Sequence, residues 1–425
     1  MKLSGKLAIA VDIGTTTVAA SLVDQATGRR LAVVGGLNPQ RQFGADVIAR
    51  LQAATAADEN RLTMQRLINV ELQRLVGGLL HDAAATIADL IQLAVAGNPA
   101  MEHLLLGLSV TSLAFPPYRP LFKAGRSITT RELGWPDAIP LYLFPLPGGF
   151  VGGDLVAFLY GSSAEPASAR RMTHGARLFL DIGTNGEIAL AAGGRFYATS
   201  VAAGPALEGG NLACGMAAVP GAISRVAIAG EKVTLITIGG ATPAGICGSA
   251  VIDTVAELLA AGVIDQSGRL LSPGEIPSNL ANRLTTVAGE SAFVLYRDAE
   301  RLVYLSQQDI RQVQLAKGAI AAGIEILLGR AGLRHDDLHE VLLTGSFGAE
   351  LAPHSLKNVG IFAEKMVKIA RFIREGALTG VEKALCAPQG MAAVEQLAQS
   401  LQVIPLSGTP AFEKLFLAQL DFPKL

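Results

Sequence analysis

The sequence predicts an α/β protein of two lobes, each built on a mixed sheet flanked by helices, and three observations carry that expectation. At 425 residues, half of them hydrophobic and only 17% charged, the chain has enough apolar surface for two sizeable cores. Short apolar runs alternate with segments of helical spacing along most of its length. One stretch also occurs twice in near copy: Val11-Asp12-Ile13-Gly14-Thr15-Thr16-Thr17-Val18 and, far downstream, Leu180-Asp181-Ile182-Gly183-Thr184-Asn185-Gly186-Glu187. Both copies read as strand, tight turn, strand.

The first lobe is expected over 1–165, opening with the first hairpin. Asn38-Pro39-Gln40 then begins a loop that runs to Gly44, and 45–56 takes helical spacing. Residues 61–80 place Leu62, Leu67, Ile68, Leu72, Leu75 and Val76 on one helical face, and 83–90 reads as more helix. A buried strand over 91–96 ends in Gly97-Asn98-Pro99, and 100–106 reopens as helix. Seven prolines between 109 and 147 predict an irregular surface insertion. Gly152-Gly153-Asp154 leads into a helix over 155–160, and the small, polar stretch 162–174 is the expected linker.

The second lobe is expected over 175–387. After the second hairpin come a glycine-rich tract over 203–211, a strand over 233–238 and a helix over 251–261. A long helix over 306–328 precedes a buried strand over 340–344, which ends in Gly345-Ser346-Phe347-Gly348. The segment 388–425, a small-residue helix and a tail, is expected to return to the first lobe.

Composition excludes several classes of partner. The formal net charge of −1 gives no pull toward nucleic acid or an anionic membrane. No stretch offers the roughly 18 uninterrupted apolar residues of a membrane span, and Asp12 and Gly14 interrupt the apolar start too early for a signal peptide. A soluble, cytoplasmic protein is expected. Cys214, Cys247 and Cys386 contain no C-x-x-C pair and cannot supply the four ligands of an ordinary iron–sulfur cluster or structural zinc. They read as small buried residues; a homodimer sharing thiols across its interface is the remaining route to a cluster.

The chemistry lies in the repeated hairpin. An apolar strand delivers an Asp, the next apolar residue points back into the sheet, and Gly lets the backbone turn and approach a ligand closely. Hydroxyl or amide residues follow at once. A carboxylate beside a turn rich in N–H and hydroxyl donors is what a magnesium-bound phosphate needs. The alternative is that each Asp only caps its own turn.

Taken in order, the hairpin with Asp12, the glycine turn with Asp154, the hairpin with Asp181, the strand ending in Gly345 to Gly348 and the small-residue helix near Gly390 form a series. It resembles the five signatures of the acetate and sugar kinase, heat-shock 70 and actin superfamily. That resemblance implies an actin-like ATPase fold, two lobes on ribonuclease-H-like sheets that clasp Mg-ATP. A closer resemblance rests on several blocks. They are Asn38-Pro39-Gln40 with Phe43-Gly44-Ala45-Asp46-Val47-Ile48, Gly97-Asn98 with Met101 and His103-Leu104-Leu105-Leu106-Gly107, Ala203-Gly204-Pro205-Ala206 with Glu208-Gly209, and Asp309-Ile310 with Ala316-Lys317. Together with the first hairpin and the tail over 412–423, these are similar to the ATPase region of the reductive activators of corrinoid proteins, over about residues 6–423.

The resemblance implies an ATPase that docks a corrinoid protein of a cobalamin-dependent methyl-transfer system and couples ATP to reduction of Co(II) to Co(I). Members usually carry an iron–sulfur module before or after the ATPase region. None is read in these residues, so no cluster is expected in the chain and the electron is assigned to a separate donor such as a ferredoxin.

Residue roles follow from the same resemblance. Asp12 and Asp181 would hold a hydrated magnesium ion, the latter also serving catalysis. Gly14 and Gly183 would let the backbone come close, while Thr15, Thr16, Thr184 and Asn185 would donate to the β and γ phosphates. Asp154 would orient the attacking water, or else serve as a helix N-cap. Glu208, in the tract with Gly204, is the second candidate for placing the water or metal. Lys317 would contact the nucleoside, or be a solvated surface charge. Gly345, Ser346 and Gly348 would form the turn against which adenosine packs. His103 reads as a satisfied core residue. Two other functions use the same fold: a sugar or carboxylate kinase with Asp154 as base, and an actin-like protein whose assembly nucleotide controls.

Overall fold

The computed structural model describes residues 6–163, 175–345 and 351–425. They group into two compact units. One comprises Met1–His174, Gly193–Ala198 and Glu375–Val403; the other comprises Gly175–Ala192, Thr199–Arg374 and Ile404–Leu425. Most of the expected linker, 164–174, lies outside the described residues.

In the first unit a six-stranded sheet is built from β1 (Leu7–Ile13), β2 (Thr17–Asp24), β3 (Arg29–Leu37), β4 (Leu90–Gly97), β5 (Arg126–Thr129) and β6 (Pro140–Leu143), in the order β3-β2-β1-β4-β6-β5. β1 pairs antiparallel with β2 and parallel with β4, and β4 pairs parallel with β6. Side chains alternate across a strand, and β1 shows the consequence. Leu7, Ile9, Val11 and Ile13 join the core formed with the helices Val47–Ala56 and Asp58–Asp82. Ala8 and Ala10, with Ala94 and Ala96 of β4, face the other way, toward Val156 and Ala157 of the helix Gly153–Ser163 and Leu378 and Val381 of the helix Gly376–Cys386. Asp12 continues the alanine row.

Two local readings change. Residues 83–90 are not α-helix: Ala84 takes a φ of 50°, only Ile87–Asp89 makes a short 3-10 turn, with the Thr86 N–H and hydroxyl both donating to Asp89 Oδ2, and Leu90 already enters β4. Pairing with β1 outweighs the helix propensity of the alanines at 83–85. The helix Gly376–Cys386 was not anticipated, because glycine is a poor helix former. Its Gly380 is needed where it sits, since a Cβ there would stand 1.8 Å from the Ala157 carbonyl oxygen, and one on Gly161 would stand 2.7 Å from the Gly380 Cα. Arg30 of β3 ties this helix to the sheet, its Nε 2.6 Å from Glu382.

In the second unit β7 (Ala176–Ile182) and β8 (Gly186–Ala192) form the second hairpin. β7 pairs parallel on its other side with the strand Leu338–Thr344, which in turn pairs parallel with Ala370–Phe372. This is the neighbour pattern of β2, β1, β4 and β6, so the repeat seen in the sequence is also a repeat of topology. The long helix Gln307–Ala331 starts at Ser306, whose hydroxyl accepts from the Asp309 N–H while the Asp309 carboxylate accepts from the Ser306 N–H. Two three-stranded sheets are added, one around Ala222–Ala229 and one around Glu290–Arg297. Among the described residues no helix is long and apolar enough to cross a membrane.

Candidate functional site

In the first unit the turn after β1 is tight. A Cβ on Gly14 would lie 2.8 Å from the Thr17 carbonyl oxygen, so a larger residue would force the turn open. Asp12 is held between Ala19 across the hairpin and Ala96 in β4, with its side chain partly exposed. Two asparagines brace the turn. Asn38 donates from its amide to the Gly14 carbonyl at 2.9 Å. Asn98 caps the helix Pro99–Leu105, its Oδ1 accepting from the Met101 N–H at 3.1 Å, and its Nδ2 donates to Thr15 Oγ1 at 3.1 Å. An amide nitrogen can only donate, so the Thr15 hydroxyl accepts and keeps its own hydrogen for another partner.

Asp154 is the second residue of the helix Gly153–Ser163, partly exposed, with Oδ1 accepting from the Leu155 N–H at 2.8 Å. It thus lies inside the first turn of the helix and not at the N-cap position, and among the described residues its carboxylate accepts only from the adjacent N–H. Desolvation pushes its pKa up to about 6. Beside it stands Glu102, which the sequence reading passed over. This side chain is fully buried and neither carboxylate oxygen has a hydrogen-bond partner among the described residues. Burial first, and then the charge of Asp154, hold its carboxyl well above the usual range.

In the second unit the same exposure pattern returns: Asp181, Gly183 and Asn185 are partly exposed and Thr184 is buried, as are their counterparts Asp12, Gly14, Thr16 and Thr15. The Gly183 N–H donates to the Asn185 carbonyl at 3.0 Å, and the Gly204 N–H to the Thr184 carbonyl at 2.9 Å. Thr184 Oγ1 donates to Glu208 Oε2 at 2.5 Å. Glu208 ends the short helix Pro205–Glu208 and is followed by Gly209 at a φ of 83°. Asp181 pairs in register with Thr344 of the parallel strand, and Gly345 follows that strand at a φ of 140°. Ser346 and Gly348 lie outside the described residues.

Lys317 is not a solvated surface charge. It is 1% exposed, donates to the Asp421 carbonyl and stands 5.2 Å over the Phe422 ring. Desolvation lowers its pKa to about 8. Gln314, one turn earlier, donates to the Leu420 carbonyl at 3.0 Å, so the helix Gln307–Ala331 grips the C-terminal tail. His103 is a satisfied core residue: Nε2 accepts from the Leu121 N–H at 3.0 Å, which leaves Nδ1 to donate to the Pro99 carbonyl at 2.7 Å. Cys247 is buried, and Cys214 and Cys386 are partly buried.

Among the described residues no group of three or more His, Cys, Asp or Glu could hold a metal by itself. Asp12 and Asp181 are each a partly exposed residue beside a glycine turn, a donor type that suits magnesium, an ion that keeps several waters and takes other ligands from phosphates.

Paired hairpins of this form, each in a mixed sheet with a parallel strand on its far side, define the actin-like ATPase fold. Residues 175–425 match the C-terminal domain of RACo, the ASKHA domain, and residues 7–165 match the RACo middle region. The chain belongs to this family, the reductive activators of corrinoid proteins. It is 31% identical over 422 residues to the corrinoid activation enzyme RamQ of Eubacterium limosum, covering 97% of this chain and 70% of that protein. It is 24% identical over 407 residues to the Co(II) methylated amine-specific corrinoid protein reductase of Methanosarcina barkeri, covering 86% of this chain and 67% of that protein. The solved structure of a reductive activator for corrinoid, iron–sulfur protein has a TM-score of 0.87 and 29% identity, covering 99% of this chain and 67% of that one.

Proposed function

We propose that this chain is an ATP-hydrolysing activator that docks a corrinoid protein and couples ATP to reduction of its cobalt from Co(II) to Co(I). An iron–sulfur or other redox centre outside these residues supplies the electron. The observation that carries this reading is the repeated Asp-Ile-Gly-Thr hairpin, alike in sequence, exposure and sheet neighbours, in a chain that matches reductive activators along its length.

Phosphoryl chemistry depends on positioning and electrostatics more than on covalent help. The turns at Gly14 and Gly183 offer backbone N–H groups, and Thr15 offers a hydroxyl hydrogen that Asn98 leaves available. Asp12 and Asp181 are the residues that would hold magnesium, which when bound neutralises charge on the β and γ phosphates. Asp154 orients the attacking water, with Glu208 as the second carboxylate able to place it. Lys317 supports the tail that packs on its helix, and Gly204 and Gly345 shape the turns around the ligand.

ATP then works as a conformational ligand. To move a partner-binding equilibrium from 1:99 to 99:1 it must favour the competent state by about 5.5 kcal/mol, within reach of several charge-assisted contacts. Calorimetric titration of a corrinoid protein into the ATP-analogue, ADP and nucleotide-free states tests this. Different affinities are expected among the three; equal affinity in all of them overturns the coupling.

A further inference from the structure

Glu102 has no part in the roles above, yet its setting is unusual. A carboxylate buried without hydrogen bonds is very costly when ionised. Around it, β4 brings the Gly97 N–H, which falls short of hydrogen-bond geometry, and β6 brings Tyr142, whose hydroxyl donates instead to Glu395 of the helix Gly390–Ser400 at 3.2 Å. The helix Gly153–Ser163 brings Asp154, and β1 brings Asp12 in register with Ala96. On its own helix, His103 is turned away, stacked on Phe122. Among the described residues no lysine or arginine forms an ion pair with Glu102.

The approach of the two carboxyls is enforced by glycine. A Cβ on Gly153 would stand 2.7 Å from Glu102 Oε1, and one on Gly152 would stand 2.5 Å from the Gly97 carbonyl oxygen and 2.8 Å from Asp154 Oδ1. Gly152 and Gly153 thus admit the helix that carries Asp154 to the wall that carries Glu102.

We propose that Glu102 is a positioning residue for Asp154: it keeps its proton while Asp154 is ionised, so the pair carries one negative charge and Asp154 alone serves as base. This rests on the ATPase reading above. In the step it supports, the water oxygen bonds to the γ-phosphorus and the bond from that phosphorus to the bridging oxygen breaks, its electron pair leaving on ADP. The water proton passes to Asp154 and then to solvent, while Glu102 retains its own. Their environments differ in the required sense: Asp154 is partly exposed and accepts from the Leu155 N–H, whereas Glu102 is fully buried with neither oxygen hydrogen-bonded among the described residues, so burial raises its pKa well above the usual range. Were both ionised, two like charges would sit beside an incoming polyphosphate.

Two readouts on the full chain test this. Infrared spectroscopy at pH 7 is expected to show a protonated carboxylic acid band that disappears in Glu102→Gln. Its absence from the wild type, or its survival in the variant, overturns the proposal. The pH profile of ATP hydrolysis is expected to have an acid limb near pH 6 in both proteins. An alkaline limb, about a tenfold fall for each pH unit beyond Glu102 ionisation, is expected in the wild type alone. Superimposable profiles overturn the proposal while leaving the ATPase reading intact. If instead Asp154→Asn hydrolyses ATP at the wild-type rate, the assignment of Asp154 as base is wrong, and the proposal falls with it.

Discussion

The hairpin of β1 and β2 and the hairpin of β7 and β8 share sequence, exposure and sheet neighbours, but their buried threonines are wired in opposite directions. Thr15 accepts from Asn98, so its hydrogen is free to reach a phosphate oxygen. Thr184 donates to Glu208, so its hydrogen is committed to a carboxylate. The two copies of one motif are therefore not equivalent donors. On the proposed ATPase reading the first would hold an anion, whereas the second, with a carboxylate bonded to its threonine, would direct water or a hydrated metal.

That asymmetry can be broken at several points. The largest effects are expected where the hairpins are alike: Asp12→Asn and Asp181→Asn should each lower ATP hydrolysis by roughly 10²–10³-fold, read as phosphate release at saturating magnesium. Next comes the point of difference. Thr184→Val and Glu208→Gln should each lower kcat by about 10–100-fold, the range of a charge-assisted hydrogen bond, and the double variant should be no worse than either alone. Thr15→Val should instead raise KM for ATP about tenfold with a smaller change in kcat. If Thr15 and Thr184 variants behave alike, the wiring does not matter.

Smaller effects concern supports. Lys317 holds its proton less tightly in the folded chain than in the unfolded one, so between about 8 and its ordinary value of 10.5 the unfolded state binds more protons. Stability contributed by this residue therefore rises with pH across that window and is missing below it. Thermal unfolding at pH 7.5 and pH 10 should show a wild-type gain, relative to Lys317→Met, on the order of 1–3 kcal/mol. Asn98→Ala removes a helix cap as well as the Thr15 contact, and should cost about 1 kcal/mol in chemical denaturation.

The sequence made the hairpins legible because strand alternation, a turn glycine and hydroxyl residues are local patterns, and the repeat made them visible twice. The buried strands over 91–96 and 340–344 were legible for the same reason, appearing as Leu90–Gly97 and Leu338–Thr344. Asn38 and Asn98 lie in the family-like blocks Asn38-Pro39-Gln40 and Gly97-Asn98, but nothing in the spacing says that their amides serve the turn at Gly14 and Thr15; that contact is made by tertiary packing. Glu102 carries no motif at all. Its meaning depends on burial and on Asp154, far along the chain. The helix Gly376–Cys386 was hidden by the glycines that let it pack.

The central claim, that the paired hairpins let ATP drive reduction of a corrinoid partner, is tested most directly by the visible spectrum of cobalt. This protein is mixed with a Co(II) corrinoid protein and a reduced ferredoxin or chemical reductant, with and without ATP. Co(I) should appear only with ATP, and should fail to appear with Asp181→Asn. Equal reduction with and without ATP would contradict the account.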